Sequence, residues 1–362
     1  MESTSVHAYD LVTGKHLTRL PYTKCSWNDR MNQAGGMTVD IDMSDTAKGM
    51  GLGDLLEPWK VILSHERGTD IIHAGPLTSL DWDADQRRLS MTCGGGLTLL
   101  TKRLVLNRRI RDTWRDGSVL VDEQHPAGDL ALTVKGSPRD IIRALIDETI
   151  QWGKLPFTLP DVEGGDLSIT YAAWDLATIA ERIAELDCEY RFPSTHTADG
   201  GITFGVETGD SQTETARWNA IIPDSRIILD GLASDAGDLC TQVWATGGKE
   251  NDRTYMCRRT STRLTDEGWP LMQGRDTSHT TVSDLKTLQS NALAQLQETA
   301  WVDRTFSLKV GEEHEPHVGD LVDLTVDDDC LGRRTYSLKI TDVSGDSSSD
   351  WLTVKAQERE DK

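Results

Sequence analysis

Phenylalanine is scarce in this chain of 362 residues, with only four. No apolar run approaches the ~20 residues that a bilayer-spanning helix needs, so no stable membrane insertion is expected. The opening MESTSVHAYD lacks a basic segment followed by an apolar one, so no secretory leader is expected. Cysteine is sparse as well. Cys25, Cys93, Cys188, Cys240, Cys257 and Cys330 are scattered and form no CxxC pair. That spacing argues against a zinc ribbon and a thioredoxin-like site, and it reads as free thiols made in a reducing cytoplasm. Positive charge is also in short supply. Lysine and arginine number 38 against 59 carboxylates, a formal charge of −21. Such a field repels nucleic acid.

What is present is a composition for burying cores: 37% hydrophobic and 27% charged residues. The length points to two or three structural units. Eleven tryptophans recur along the chain, among them Trp27, Trp82, Trp114, Trp174, Trp218, Trp244 and Trp301. Aromatics this broad serve cores, protein interfaces and carbohydrate stacking alike.

Residues 1–132 read as strands and turns. Tyr9 to Leu17 predicts a hairpin about Thr13-Gly14, and Thr38 to Met43 alternates polar and apolar residues as a half-buried strand does. Trp59 to Leu63 and Asp70 to Ala74 read as strands joined by a turn at 66–69, the second broken by Gly75-Pro76. Leu77 to Asp83 and Arg88 to Cys93 predict a further hairpin. Many short strands at close spacing predict a barrel or sandwich. The texture changes over 133–220. Ser137, Pro138 and Asp140 form a helix start, with Ile141, Ile142, Leu145, Ile146 and Ile150 on one face. A second helix is predicted over Trp174 to Cys188 with Asp175 as its cap. Strands at 189–192 and 201–206 complete an α/β unit. Residues 221–362 return to strands, at 304–310, 319–326, 334–343 and 351–356. A helix near 283–300 interrupts them, capped by Ser283, with Leu285, Leu288, Ala292, Leu293 and Leu296 as its apolar stripe. The fold class expected is mainly β with an α/β part: two small β-barrels flanking an α/β domain.

Candidate chemistry is thin. His314 and His317, beside Glu313, Glu315 and Asp320, have metal-ligand residue types, but Pro316 interrupts any helix and HExxH is absent. They read as a loop before a strand. Asp327-Asp328-Asp329 lacks the alternation of a calcium loop and reads as a hairpin turn. Asp81, Asp83 and Asp85 are acidic turn residues before they are a glycosidase pair. Gly94-Gly95-Gly96 lacks the GK[ST] ending of a phosphate loop and reads as a flexible turn or bulge. Lys102 to Arg115 is a basic stretch, holding Lys102, Arg103, Arg108, Arg109, Arg111 and Arg115. It reads as a face that pairs with an acidic neighbour, with a channel wall or DNA contact as the sharper reading. The expectation is therefore no catalytic, cofactor-binding or metal-binding residue, and no enzyme.

One stretch resembles a known family. Tyr9-Asp10, Leu20-Pro21, Ser26-Trp27, the turn over Asn32 to Gly36 and the strand Met37 to Ile41 resemble the start of siphophage minor tail proteins of actinobacterial phages. The helix from Ser137, the helix leading into Tyr190-Arg191-Phe192, and the Val318-Gly319-Asp320 step follow that family's order. The resemblance implies a structural baseplate hub: a homotrimeric ring that joins the tail tube to the tail tip and helps form the channel for the genome. It implies partners among the distal tail, tail tube, tape-measure and other tail-tip or fibre proteins, and transient passage of DNA. It places the protein in the virion at the tail tip, after assembly in the host cytoplasm. Relatives that carry a hydrolase do so after the second barrel, and the sequence given ends at Lys362 soon after its last strand. A receptor- or glycan-binding tail-tip protein is the alternative, and a cell-wall enzyme a third reading.

Overall fold

The first strands form as their alternation dictates. β1 (Thr4–Asp10) and β2 (His16–Leu20) make the expected hairpin, and Gly14 supplies the positive φ of +69° that its turn requires. β3 (Lys24–Arg30), β4 (Gly36–Asp42), β5 (Val61–Arg67), β6 (Asp70–Asp83) and β7 (Arg88–Gly94) follow. The computed structural model describes residues 4–119, 121–124, 126–209, 215–250, 253–278 and 284–359. The chain divides into two compact units. One is Met1–Leu229 with Leu308–Ala356, and the other is Asp230–Ser307 with Gln357–Lys362.

In the first unit the strands run in the order β2, β1, β5, β6, β7, β4, β3, and then the strand Gly332–Asp346. That last strand gives its first half to Leu321–Asp328 and its end to β3. Ala216–Asn219 adds to Leu321–Asp328 in parallel. The sheet is open, and this corrects the expectation of two barrels. A barrel of the N-terminal strands needs both edges of β3 kept within that set. Instead β3 bonds β4 on one side and Gly332–Asp346 on the other. The N- and C-terminal strands thus share one sheet, and among the described residues β2 is an edge paired with β1.

Gly75-Pro76 does not break its strand either. β6 continues through it for 14 residues, because this is where it leaves β5 and takes β7 as partner. Pro76 is the last residue paired with β5, opposite Ile62. Gly75 lies so close to Gly94 that an added Cβ would stand 1.6 Å from the Gly94 carbonyl oxygen. The exchange of partners therefore requires glycine there.

The sheet has a core on each face. Val6, Ala8, Val61 and Leu63 pack with Val39, Ile41, Leu89 and Met91. Tyr9 and Ile62, on the opposite face of the same strands, join a second core with the helices. Ile141, Ile142, Leu145 and Ile146 supply its helical part and are all fully buried. Each contributes about 1.5–3 kcal/mol by leaving water. Their helix, Pro138–Ile150, starts with the expected capping box between Ser137 and Asp140.

The second expected helix is shorter than its pattern. It spans Ile179–Ala184, and Thr178 and Glu181, not Asp175, form its capping box. Leu176 sits in the left-handed region at φ +52° and is 63% exposed, so it is outside the buried stripe. Around these helices the predicted small sheet is three separate strand pairs, Leu132–Gly136 with Leu167–Tyr171, Tyr190–Arg191 with Glu207–Thr208, and Ser194–His196 with Ile202–Phe204.

The second unit holds a three-stranded sheet of Arg253–Thr260, Gln242–Glu250 and Gln273–Asp276, with Gln242–Glu250 in the middle. The helix Leu285–Thr299 packs Leu288, Ala292 and Leu296 on Val243, Ala245 and Cys257. Its cap is Asp284, and the predicted cap Ser283 lies outside the described residues. Leu285 and Leu293, predicted for the stripe, are each 43% exposed.

Candidate functional site

The period-2 rule that builds β1 and β5 also concentrates polar side chains. Ser5, His7 and Tyr9 share one face of β1, and Ser64 and Glu66 share one face of β5. Glu66 is buried and becomes the centre of the group. The Tyr9 hydroxyl donates to Glu66 Oε1 at 2.7 Å, and the Ser64 hydroxyl donates to the same oxygen. His196 Nε2 and His7 Nε2 stand 3.5 and 3.9 Å from Glu66 Oε2. His7 Nδ1 meets His16 Nε2 at 2.9 Å, so one of the two imidazoles donates and the other accepts. Burial pushes the Tyr9 phenol up, and its bond to the Glu66 carboxylate adds to that. Burial lowers His7, as do His16, Arg19 and His196, against the opposing pull of Glu66.

The group does not form a hydroxyl–imidazole–carboxylate relay. Ser5 Oγ lies 3.0 Å from His7 Nε2. A relay needs the carboxylate on the other ring nitrogen. Here Glu66 approaches the same Nε2, and Nδ1 is taken by His16. The geometry is that of a buried hydrogen-bond network. Among the described residues, no group of three or more histidine, cysteine or acidic side chains is placed to hold a metal.

A cleft of about 490 Å³ opens beside it, lined by Trp27, Asp29, Arg67, His196, Glu312 and His317 among others. The Arg67–Glu312 ion pair joins two of its lining residues. A second hollow of about 400 Å³ shares Asp29, Ile71, Ser194 and His317 with it and adds His73 and Arg191. His73 Nδ1 lies 2.6 Å from Asp29 Oδ1.

The sequence candidates disperse. His314 Nε2 donates to the Ser225 carbonyl at 2.7 Å, while His317 turns to Asp320, so the two histidines do not converge. Hydrogen bonding to Asp320 raises the exposed His317. Asp83 accepts from the Gln86 backbone at 2.8 Å and shapes a hairpin turn, with Asp81 and Asp85 exposed nearby. Asp328 does the same for Cys330 at 2.8 Å. The glycine run is a tight entry to the short helical turn Gly96–Lys102, and this corrects the expectation of a flexible link. An added Cβ on Gly95 would stand 1.9 Å from the Ala34 carbonyl oxygen.

The basic stretch is largely used locally, on the 3₁₀ turns Gly96–Lys102 and Arg108–Thr113. Arg108 binds Glu148, Arg103 donates to the Gly153 carbonyl, and Arg111 stacks 4.6 Å over Trp152. Arg109 and Arg115 remain exposed. The six cysteines are free.

The histidine–carboxylate group escaped sequence reasoning. The one local signal is Ser64-His65-Glu66 inside the apolar strand Val61–Arg67, where every residue but the last is buried. A polar run in such a strand must find partners.

The architecture is an open β-sheet with two cores and an α/β region, and besides it a separate small unit. It is similar over its whole length to solved phage tail proteins. The 43 kDa tail protein of prophage MuSo2 from Shewanella oneidensis aligns over 98% of this chain and 98% of its own, with a TM-score of 0.59 and 11% identity. The prophage tail protein gp18 from Listeria monocytogenes aligns over 99% and 95%, with a TM-score of 0.57 and 10% identity. The tail protein from Neisseria meningitidis aligns over 99% and 97%, with a TM-score of 0.54 and 14% identity. No family model matches the sequence, and no curated protein matches it. At these identities the likeness is one of fold: the chain has the fold of phage tail proteins.

Proposed function

We propose that the protein is a structural, non-catalytic subunit of a phage tail, and within it the baseplate hub of a siphophage tail tip. Three copies close a ring that joins the tail tube to the tip and borders the path of the genome. Residues 1–132, 133–220 and 221–362 act as its three functional regions. The observation that carries the reading is the match of fold over nearly the whole of this chain and of a tail protein at once. The N-terminal resemblance and the conversion of the polar clusters into internal networks support it. A closed ring also suits a protein with an open sheet edge at β2, because a neighbouring subunit can cover such an edge.

The test is antibody labelling of intact particles together with mass measurement of the purified assembly. Label at the tip of the tail and a mass of three chains are expected. Label along fibres with binding to isolated cell-wall glycan would move the assignment to the receptor-binding alternative. Absence from the particle would overturn the tail reading.

A further inference from the structure

The three-stranded sheet of the second unit is covered by the helix Leu285–Thr299 on one face. Its other face is open. There Trp244, on the central strand, is in register with Arg258 on one neighbour and Arg275 on the other. Both arginines are exposed, Trp244 is 38% exposed, and Met256 beside them is 55% exposed. The indole is fixed: its N–H donates to Gln242 Oε1 at 2.8 Å, and Gln273 donates to the same oxygen at 2.6 Å. The Arg258 guanidinium lies 5.6 Å from the Trp244 ring. Among the described residues neither arginine has a carboxylate partner. Among the described residues, the outward side chains of these strands include Gln242, Trp244, Met256, Arg258, Gln273 and Arg275, with no acid among them.

A positive aromatic face with no acid is a local reversal of charge in a chain of −21. Tryptophan, arginine and methionine are the residues enriched where proteins bind one another. A single-strand nucleic-acid platform would instead present successive aromatics along a basic groove. The first unit carries the complement. Asp327, Asp328 and Asp329 are exposed at a hairpin tip, where Asp327 faces Arg333 across the ladder and none of the three forms an ion pair among the described residues. We propose that the Trp244–Arg258–Arg275 face of one copy docks on the Asp327–Asp329 tip of a second copy. Every copy carries both halves, so the contact is head-to-tail and closes into a ring when the rotation permits. The proposal rests on the ring reading above and names the surface that makes it.

Sedimentation velocity over a wide concentration range tests it on the full chain. The wild type is expected to associate. Arg258→Glu with Arg275→Glu, and separately Trp244→Ala, are expected to weaken association by roughly tenfold or more. Asp327→Lys with Asp329→Lys spares the turn-capping Asp328 and should weaken it similarly. The chain carrying both charge reversals should regain it. Unchanged melting curves separate a lost contact from a lost fold. A wild type that stays monomeric, arginine variants that associate like wild type, or a combined chain that stays dissociated overturns the proposal. So does wild-type binding of oligodeoxythymidine that is lost in the arginine variant without any self-association. Labelling of the tail tip is independent of all these outcomes, so the contact and the hub reading can fail separately.

Discussion

His65 and His73 stand opposite each other across β5 and β6, yet their environments shift their acidities in opposite directions. Both are almost fully buried. Among the described residues His65 has no hydrogen-bond partner on either ring nitrogen, and burial, with Arg67 and His73 adding to it, pushes it down to about 4. Burial pulls His73 down too, but the facing Asp29 carboxylate and the Gly94 carbonyl reverse this and hold it above its ordinary value. The difference is one reachable carboxylate.

His65 sets an acid limit on stability. It is neutral in the fold and takes a proton in the unfolded chain below the ordinary value of 6.5. Its contribution is therefore complete above 6.5 and is lost as the pH falls toward about 4, by on the order of 3 kcal/mol. His65→Phe, which needs no hydrogen bond, should flatten that limb. Denaturant unfolding at pH 7.5 and pH 5 checks it. An unchanged difference between the two pH values in the variant would assign the acid limb to other groups.

His73 works in the other direction. Its raised value means that the Asp29 pair stabilises the fold below 6.5 and that this is lost as the pH rises through the folded value. Asp29→Asn should lower the His73 titration followed by NMR, and cost about 1–3 kcal/mol at pH 6. Little cost should remain at pH 9. An unmoved His73 titration would show that Asp29 is not its partner in solution.

Tyr9→Phe removes the 2.7 Å bond to buried Glu66 and adds no bulk. The carboxylate then keeps the Ser64 hydroxyl on that oxygen, with His7 and His196 beyond hydrogen-bond range at the other. A loss of about 1–3 kcal/mol is expected in urea unfolding. A neutral result would mean that water takes the place of the phenol.

Gly95→Ala tests the packed glycine run. The added methyl would overlap the Ala34 carbonyl, which is backbone and cannot swing aside. A cost of about 1–3 kcal/mol is expected. Gly117→Ala, where nothing lies within 4 Å but φ is +78°, is the control for backbone strain alone. Equal losses at both sites would remove the packing explanation.

Local structure was legible wherever the cause is local. The helix at Pro138–Ile150 follows from Ser137, Pro138 and Asp140 and from isoleucines spaced to one face. The β1–β2 hairpin follows from alternation and Gly14. The second helix was overread because Leu176 fits the apolar period while its backbone is left-handed, which a spacing argument cannot detect. The Glu66 group was not legible, because its members come from positions 7, 9, 16, 64, 66 and 196: strand register joins those of β1, β2 and β5, and packing of a separate strand pair brings His196 to them.

The sequence by itself determined the strand-rich character, the capped start of the Pro138–Ile150 helix, the free thiols and the acidic balance. These depend on neighbours within a few residues or on composition. Only the tertiary structure decided that the N- and C-terminal strands share one open sheet and close no barrel. That choice was made where β3 takes Gly332–Asp346 as its second partner, some 300 residues away in the chain. Hydrogen-bonding edges are chemically alike in every strand, so no local pattern marks which distant strand will fill them. The same pairing brings the N- and C-terminal strands into the fold shared with phage tail proteins.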